Sequence, residues 1–252
     1  MAINAILFDM DNTLTDFVNM KRHSTRAAAK AMIECGLKMD EEECFKQLFE
    51  TYWKEGIDGN SAFEAFIQAK LGKPNRKMLE AAIEAYEKER DQQLKLYPGV
   101  IETLAALKKS GLVLGIITDA PKVKAEARLK KLGLYGIFDV VVTFDDTGHH
   151  KPSDLPFKKA LEQLGMPPEQ VLMVGDSLER DVLGAQKMGI RGALAEWGRD
   201  HEYMWPVTVE VKPDFELKKL SDLLVILAKE RIADVVNRET QKQTARPRIA
   251  RK

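Results

Sequence analysis

The sequence predicts an α/β protein with a doubly wound, parallel-sheet (Rossmann-like) core and an inserted helical domain. Three observations lead to this fold. A short apolar run near the start ends abruptly in acidic residues, the stretch 16–95 has helical periodicity, and strands alternate with helices from 99 to 196. The 252 residues suffice for one large α/β core together with a smaller second domain.

The first predicted strand covers residues 3–10 and carries two carboxylates at its end. Ala5–Phe8 is wholly apolar, as in a strand that is buried on both faces of a parallel sheet. Asp9 and Asp11 are two positions apart, so in an extended segment their side chains point the same way. Two carboxylates placed in this way either raise the pKa of one of them or need a cation between them.

The stretch 16–95 is predicted to form about four helices and no strand. Asp40 with Glu43, and Ser61 with Glu64, are typical of a capping box at the start of an amphipathic helix. Turn-forming residues separate the helices, at Gly56, Gly59, Gly72 and Pro74. We therefore interpret 16–95 as a helical domain inserted into a core that comprises 1–15 and 96–232.

A regular alternation of helices and strands begins after residue 96. Helices are predicted at about 99–110, 121–132, 154–164 and 178–188, and strands at 112–117, 138–144, 171–174 and 191–196. Four helices end in a glycine that suits the left-handed position after a helix, namely Gly111, Gly133, Gly165 and Gly189. A short extended piece from about 207 and an amphipathic helix through Leu220, Leu223, Leu224 and Leu227 follow. The basic segment 233–252 is predicted to be a flexible tail.

Polar residues follow several of the predicted strands. Besides Asp9 and Asp11, they are Thr118, Asp119, Lys151, Asp176 and Asp181. The carboxyl ends of parallel strands share one edge of the sheet, so these groups are expected around one cleft. Carboxylate oxygens hold Mg²⁺, an aspartate can accept a phosphoryl group, and a helix N-terminus and a lysine can bind phosphate oxygens. The pattern therefore favours phosphoryl transfer.

Four segments together resemble the motifs of the haloacid dehalogenase superfamily. They are Asp9-x-Asp11-x-Thr13, Thr118 after a strand, Lys151-Pro152, and Gly175-Asp176-Ser177-x-x-x-Asp181, and they occur in the family's order. The resemblance covers the core from residue 3 to about 196. The helical insert resembles the cap domain of the subgroup that contains phosphoglycolate phosphatases and 2-haloacid dehalogenases.

The resemblance implies a role for each motif residue. Asp9 would be the nucleophile and Asp11 the general acid and base, while Thr118, Asp119 and Lys151 would bind the phosphoryl group. Mg²⁺ would be held by Asp9, Asp176 and the backbone carbonyl of Asp11, with Asp181 and Thr13 in outer positions. The implied enzyme hydrolyses small phosphorylated metabolites, such as phosphoglycolate, triose or sugar phosphates, through an aspartyl phosphate. Its cap would close over the substrate.

Other functions on related scaffolds stay open at this point. A 2-haloacid dehalogenase is disfavoured by Asp11, because an alkoxide leaving group needs a proton and chloride does not. A phosphomutase is not distinguished by the motifs. A phospho-acceptor switch would carry its acceptor on a later strand and no helical insert. Phosphoglycolate phosphatases often have Asn where this chain has Asp119, which weakens the case for that substrate.

Several polar residues have a plainer interpretation beside the functional one. Asp181 could complement a helix dipole, and Thr118 could cap the helix after it. His149 and His150 are expected in a polar loop rather than at a metal, and Asp145 and Asp146 as solvated acids. Lys21, Arg22 and His23 are expected at a solvated helix start. The aromatic, charged loop 196–205 could gate the cleft or pair two subunits.

Composition limits the partners and the location. Lys plus Arg and Asp plus Glu are 39 each, so no net field attracts nucleic acid or a membrane surface. No apolar run has membrane-spanning length, and the start does not resemble a signal peptide. Cys35 and Cys44 are expected as reduced thiols. We expect a cytoplasmic monomer or homodimer whose partner is a small phosphate ester, with no nucleic acid or membrane.

Overall fold

The computed structural model describes residues 2–55, 61–199 and 210–232, with the side chains of 53–55 excepted. The predicted tail 233–252 and residues 200–205 of the loop 196–205 lie outside the described residues. The chain separates into two compact units, one formed by residues up to Leu14 and from Leu96 onward, the other by Thr15–Lys95. The assignment of these units as a core and a cap stays a prediction.

The first unit is built on a parallel sheet of six strands. They are β1 Ala5–Phe8, β2 Val113–Ile117, β3 Val140–Val142, β4 Val171–Gly175, β5 Arg191–Ala195 and β6 Phe215–Leu217, in the spatial order β3-β2-β1-β4-β5-β6. Phe8 at the end of β1 pairs with Ile116 on one side and Val174 on the other. The parallel α/β fold predicted from the sequence is therefore confirmed.

Two strand predictions need correction. The strand expected at 138–144 covers Val140–Val142 alone, because Thr143 already forms a capping box with Asp146 and begins a helix. The extended piece expected from about 207 includes β6, a sixth strand of the sheet. It pairs with β5 although it has three residues, too few for a periodic pattern in the sequence.

Most helices of the first unit lie close to their predicted positions, whereas the short helix Phe144–Thr147 adds to the prediction. The described helices are α5 Val100–Lys109, α6 Lys122–Lys131, α7 Phe144–Thr147, α8 Asp154–Leu164, α9 Gly184–Lys187 and a last helix, α10, that covers 222–232. A π-helical segment, Leu178–Leu183, leads into α9. Gly111 and Gly165 have φ of +79° and +60°, which confirms the left-handed positions predicted after α5 and α8.

Strand β1, in the interior of the sheet, is buried on both of its faces. Side chains of successive strand residues point to opposite faces, and Ile6 and Phe8 belong to one apolar cluster with residues of α5 and α6. Ala5 and Leu7 belong to another cluster, which includes Phe157 of α8. This double burial explains why the sequence of β1 is apolar without alternation, and it fixes the position of the acids that follow.

In its described residues, the second unit has four helices around an apolar core of its own. They are α1 Phe17–Glu34, α2 Glu41–Glu55, α3 Ser61–Leu71 and α4 Arg76–Gln93. The capping at Asp40 is present, since its side chain accepts a hydrogen bond from the N–H of Glu43 at 3.1 Å. The four-helix prediction for this stretch is confirmed. No described helix of either unit is long and apolar enough to cross a membrane.

Lys21 corrects the expectation of a solvated helix start. Its side chain is buried in α1, and Nζ donates hydrogen bonds to the hydroxyls of Tyr52 and Tyr86 at 3.2 and 2.8 Å. The aromatic rings of Phe17, Tyr52 and Tyr86 have their centroids 4.9–5.4 Å from the ammonium nitrogen. Cation–π contacts of this kind stabilise a desolvated ammonium. His23, two residues on, is exposed as expected.

Candidate active site

The turn after β1 brings a hydroxyl back to the first carboxylate. The backbone N–H of Asp9 donates to the carbonyl of Val174 at 2.9 Å, which extends the sheet by one residue before the chain turns. Asn12 then has φ +61°, a conformation that asparagine tolerates better than most residues. Thr13, fully buried, donates from Oγ1 to Asp9 Oδ2 at 3.4 Å.

Lys151 forms the centre of the site. Its side chain is 1 % exposed, and its ammonium nitrogen lies 2.6 Å from Asp9 Oδ1 and 2.6 Å from Asp181 Oδ1. Its third hydrogen bond goes to the carbonyl of Ile117 at 3.1 Å. The three donors of a lysine are thereby matched with three acceptors. The positive charge therefore lies between the predicted nucleophile and a second buried acid.

Asp181 belongs to the buried cluster around Lys151, while its outer position relative to a metal stays a prediction. Its Oδ2 accepts the N–H of Ser177 at 3.0 Å, so the carboxylate is fixed from two sides. The side chain packs directly over Gly175, where an added Cβ would come within 2.3 Å of the Asp181 carboxyl carbon. A glycine at the end of β4 is thus a steric requirement of the site.

Three buried carboxylates can hold a metal ion at this edge of the sheet. Asp9, Asp176 and Asp181 each offer an oxygen atom, and these atoms all lie within 4.8 Å of one another. Hard carboxylate oxygens in this number fit Mg²⁺, which commonly completes its coordination with water or phosphate oxygens. The side chain of Asp11 is not a member of this group.

Burial and charge shift the pKa values of the central groups. Burial raises the pKa of Asp9 well above its ordinary range, and the Lys151 ammonium offsets that effect only in part. Burial lowers the pKa of Lys151, but Asp181 and Asp9 raise it by more, so the lysine stays protonated. Burial likewise lowers the pKa of Arg180. The surrounding carboxylates, Asp181 and Asp176 foremost, raise the pKa of Arg180 by more. A bound divalent cation would favour the ionised form of Asp9.

Arg180 is a site residue that the sequence analysis missed. Its guanidinium Nη1 lies 3.4 Å from Asp119 Oδ2, and Asp119 Oδ1 accepts the backbone N–H of Lys151 at 2.9 Å. Asp119 thus holds the chain that carries Lys151 in place, while its predicted phosphate contact stays a prediction. Arg180 lies in the helical segment Leu178–Leu183 that follows β4, and no local pattern in the sequence marks it as a site residue.

Thr118 is buried where β2 leaves the sheet. Its Oγ1 accepts the N–H of Ala120 at 3.2 Å, and its own N–H donates to the carbonyl of Val142 at 2.9 Å. The N-cap residue of α6 is Pro121, with no side-chain capping bond, so the expectation that Thr118 caps this helix is wrong. The Thr118 side chain instead stabilises the turn that leads to α6. Its contact with phosphate stays a prediction.

Asp11 forms an ion pair away from the three-carboxylate cluster. Its Oδ2 lies 2.6 Å from Nη1 of Arg128 on α6, and the two side chains are 23 % and 12 % exposed. The sequence analysis missed Arg128, since 117 residues separate it from Asp11 and a charged helix residue is normally solvated.

The described part of the loop 196–205 supports the turn after β1. Trp197 donates from its ring N–H to the carbonyl of Thr13 at 3.1 Å. Gly198 packs so closely that an added Cβ would lie 2.0 Å from the carbonyl oxygen of Asn12. Residues 196–199 therefore help to hold the turn that presents Asp9 and Asp11.

The acids of the loop after β3 cap helices. Asp145 accepts the backbone N–H of Lys122 at the start of α6. Asp146 accepts both the N–H and the hydroxyl of Thr143 at 2.7 Å. Both residues are exposed, as expected for solvated acids, and each also satisfies a donor at the start of a helix.

The histidines of the same loop make local contacts. The ring of His150 stacks on Phe144 with centroids 4.4 Å apart. His149 is exposed, and its Nδ1 lies 2.8 Å from the carbonyl oxygen of Thr147. Neither histidine is among the described residues that form the acidic cluster, in keeping with their expected place in a polar loop.

Comparisons with known proteins place this site in a family context. The model of haloacid dehalogenase-like hydrolases matches residues 6–195. A glyceraldehyde 3-phosphate phosphatase of Methanopyrus kandleri is 34 % identical over 227 residues, 89 % of this chain and 97 % of that protein. The pyrophosphatase PpaX of Bacillus cereus is 34 % identical over 239 residues, 90 % and 98 % of the two chains. The crystal structure of a HAD phosphatase from Thermococcus onnurineus has a TM-score of 0.61 at 27 % identity, covering 89 % and 98 %.

Proposed function

The chain belongs to the haloacid dehalogenase-like hydrolase family and is a phosphatase of small phosphorylated metabolites, for which we propose a Mg²⁺-dependent mechanism through an aspartyl phosphate. The observation that carries the mechanism is the buried contact of Lys151 with Asp9 and Asp181. The predicted nucleophile, a cation and two further buried acids, Asp176 and Asp181, lie close together.

The metal would be held by Asp9 and Asp176, with Asp181 beside them, and the backbone carbonyl of Asp11 as a further ligand. When bound, Mg²⁺ reduces the repulsion between the Asp9 carboxylate and an anionic phosphate. Lys151 contributes a fixed positive charge at the position where negative charge develops. Thr118 at the end of β2 would bind a phosphate oxygen.

The reaction would proceed in two steps. One carboxylate oxygen of Asp9 attacks phosphorus, the bond from phosphorus to the ester oxygen breaks, and Asp11 gives that oxygen a proton. Asp11, now ionised, takes a proton from water while the water oxygen attacks the aspartyl phosphate. The bond between Asp9 and phosphorus then breaks, which releases inorganic phosphate and restores both carboxyl groups.

The substrate is a small phosphate compound, and glyceraldehyde 3-phosphate is the first candidate. The activity in the name of the Methanopyrus relative supports it. The name of PpaX makes inorganic pyrophosphate the second compound to assay, and phosphoglycolate is a third.

Phosphate release from these three compounds tests the proposal. Activity should need Mg²⁺, disappear with a chelator, and fall by at least about a thousandfold in Asp9→Asn, because no other group replaces the nucleophile. Asp154→Asn makes the same chemical change at an exposed carboxylate of α8 and should keep full activity. A folded Asp9→Asn protein that retains a tenth of the wild-type rate would rule out the mechanism.

A further inference from the structure

Arg128 reaches the sheet edge from the far part of α6. This helix begins at Lys122 just after β2 and runs away from the edge, so Arg128 lies six residues into it, about 9 Å along the axis at 1.5 Å per residue. Helical side chains lean toward the helix N-terminus, which is the end that faces the site. The length of an arginine then brings Nη1 to 2.6 Å from Asp11 Oδ2.

The backbone of Arg128 is firmly placed. Its neighbours Ala125 and Leu129 are buried in the main apolar cluster, which fixes the rotation and position of α6. The side chain of Arg128 is 12 % exposed, so most of it is covered by the protein. An exposed ion pair would exchange partners with solvent, whereas a covered one with fixed ends holds a carboxylate in one place.

From this geometry we propose that Arg128 is a positioning residue for Asp11. It holds the carboxyl group of Asp11 in place, so that the protonated form meets the leaving oxygen first and the ionised form then meets the attacking water. The inference rests on the proposed function, since it assigns Asp11 both proton transfers. Lys151 contacts Asp9 and Asp181, and Arg180 contacts Asp119, so Arg128 is the cation that pairs with Asp11 among the ion pairs described above.

A double-mutant cycle tests whether Arg128 acts through Asp11. The variants are Arg128→Met, Asp11→Asn and the pair of changes together, assayed with p-nitrophenyl phosphate and Mg²⁺. Arg128→Met alone should lower kcat about 10- to 100-fold, part of the 10²–10⁴ that a general acid or base contributes. In the Asp11→Asn background the same change should alter kcat less than about twofold, because the group that Arg128 positions is already lost.

A burst measurement adds a signature that loss of folded protein would not produce. Nitrophenolate leaves without a proton, so Asp9 is still phosphorylated in Arg128→Met while water attack is slowed. A burst of nitrophenolate equal to the enzyme concentration should therefore precede slow turnover. A less stable protein with an intact site would show a smaller active fraction and no new burst.

The control and the contrary outcomes are distinct. Lys130→Met removes a positive charge from an exposed position of the same helix and should keep wild-type kinetics. Arg128→Lys should recover part of the rate, and it replaces Arg128→Met if that protein does not fold. An equal loss in both Asp11 backgrounds would overturn the positioning role alone, whereas a wild type without phosphatase activity would overturn the proposed function as well.

Discussion

Replacing Lys151 by Met should destabilise the protein far more than replacing a surface lysine. The change keeps most of the side-chain volume but removes the cation that lies 2.6 Å from both Asp9 and Asp181. Breaking a buried ion pair by removing one partner typically costs about 3–5 kcal/mol. Lys158 pairs with Asp154 on the surface of α8, at 51 % and 48 % side-chain exposure. Its loss should cost far less, because solvent screens an exposed ion pair.

The assay is urea unfolding of both variants in the presence of a chelator. Thermal unfolding gives a second measure. Each kcal/mol lowers the Tm of a chain of this size by about 2–4 °C, so Lys151→Met should lower the Tm by about 10 °C. The penalty should also depend on pH. Without the lysine, burial and the neighbouring Asp181 raise the pKa of Asp9 further above its unfolded value. The unfolding free energy then decreases as pH rises from about 4 through that raised pKa. The variant should therefore be closer to wild type at pH 5 than at pH 8.

The reasoning would be refuted if Lys151→Met cost no more than Lys158→Met at pH 8. The same holds if its penalty were larger at pH 5 than at pH 8, since a protonated carboxyl group needs no cation beside it.

Two further predictions concern packing and a surface carboxylate. Gly175→Ala should lower kcat at least tenfold and cost about 1–3 kcal/mol, because the added methyl would displace the Asp181 carboxylate. Gly115→Ala, whose methyl would meet the end of the Leu7 side chain at 2.7 Å, should cost a similar free energy of unfolding in urea but keep kcat. Equal loss of kcat in both variants would contradict this. The hydrogen bond from Lys108 lowers the pKa of Asp139. The stability that the ionised Asp139 contributes is therefore present above about pH 4 and is lost as pH falls through the lowered pKa. Because 44 % of the side chain is exposed and solvent screens its charge, Asp139→Asn should lower the free energy of unfolding by under about 1 kcal/mol at pH 6 and by less at pH 3. An equal loss at both pH values in urea unfolding would contradict this prediction.

The sequence by itself determined those features that depend on neighbours along the chain. The apolar run of β1 followed by Asp9 shows where a buried strand leaves the sheet. A strand buried on one face alternates apolar and polar residues, whereas a strand buried on both faces is apolar throughout. A glycine such as Gly165 marks a helix end because few other residues adopt its backbone conformation. The parallel order of such elements then implies that the polar residues at the strand ends share one edge.

The tertiary structure decided which of those polar residues contact one another. Asp181 could equally have complemented a helix dipole, and only the packing of its helix over Gly175 brings it to Lys151. Arg128 and Asp11 are 117 positions apart in the sequence. They meet because β1 and β2 are adjacent, so the turn after β1 lies beside the helix after β2, and no local sequence pattern reports this. Lys21 is buried because aromatic rings from other helices surround it. Helical periodicity reports which face of a helix is apolar, whereas the partners of a charged side chain depend on distant parts of the chain.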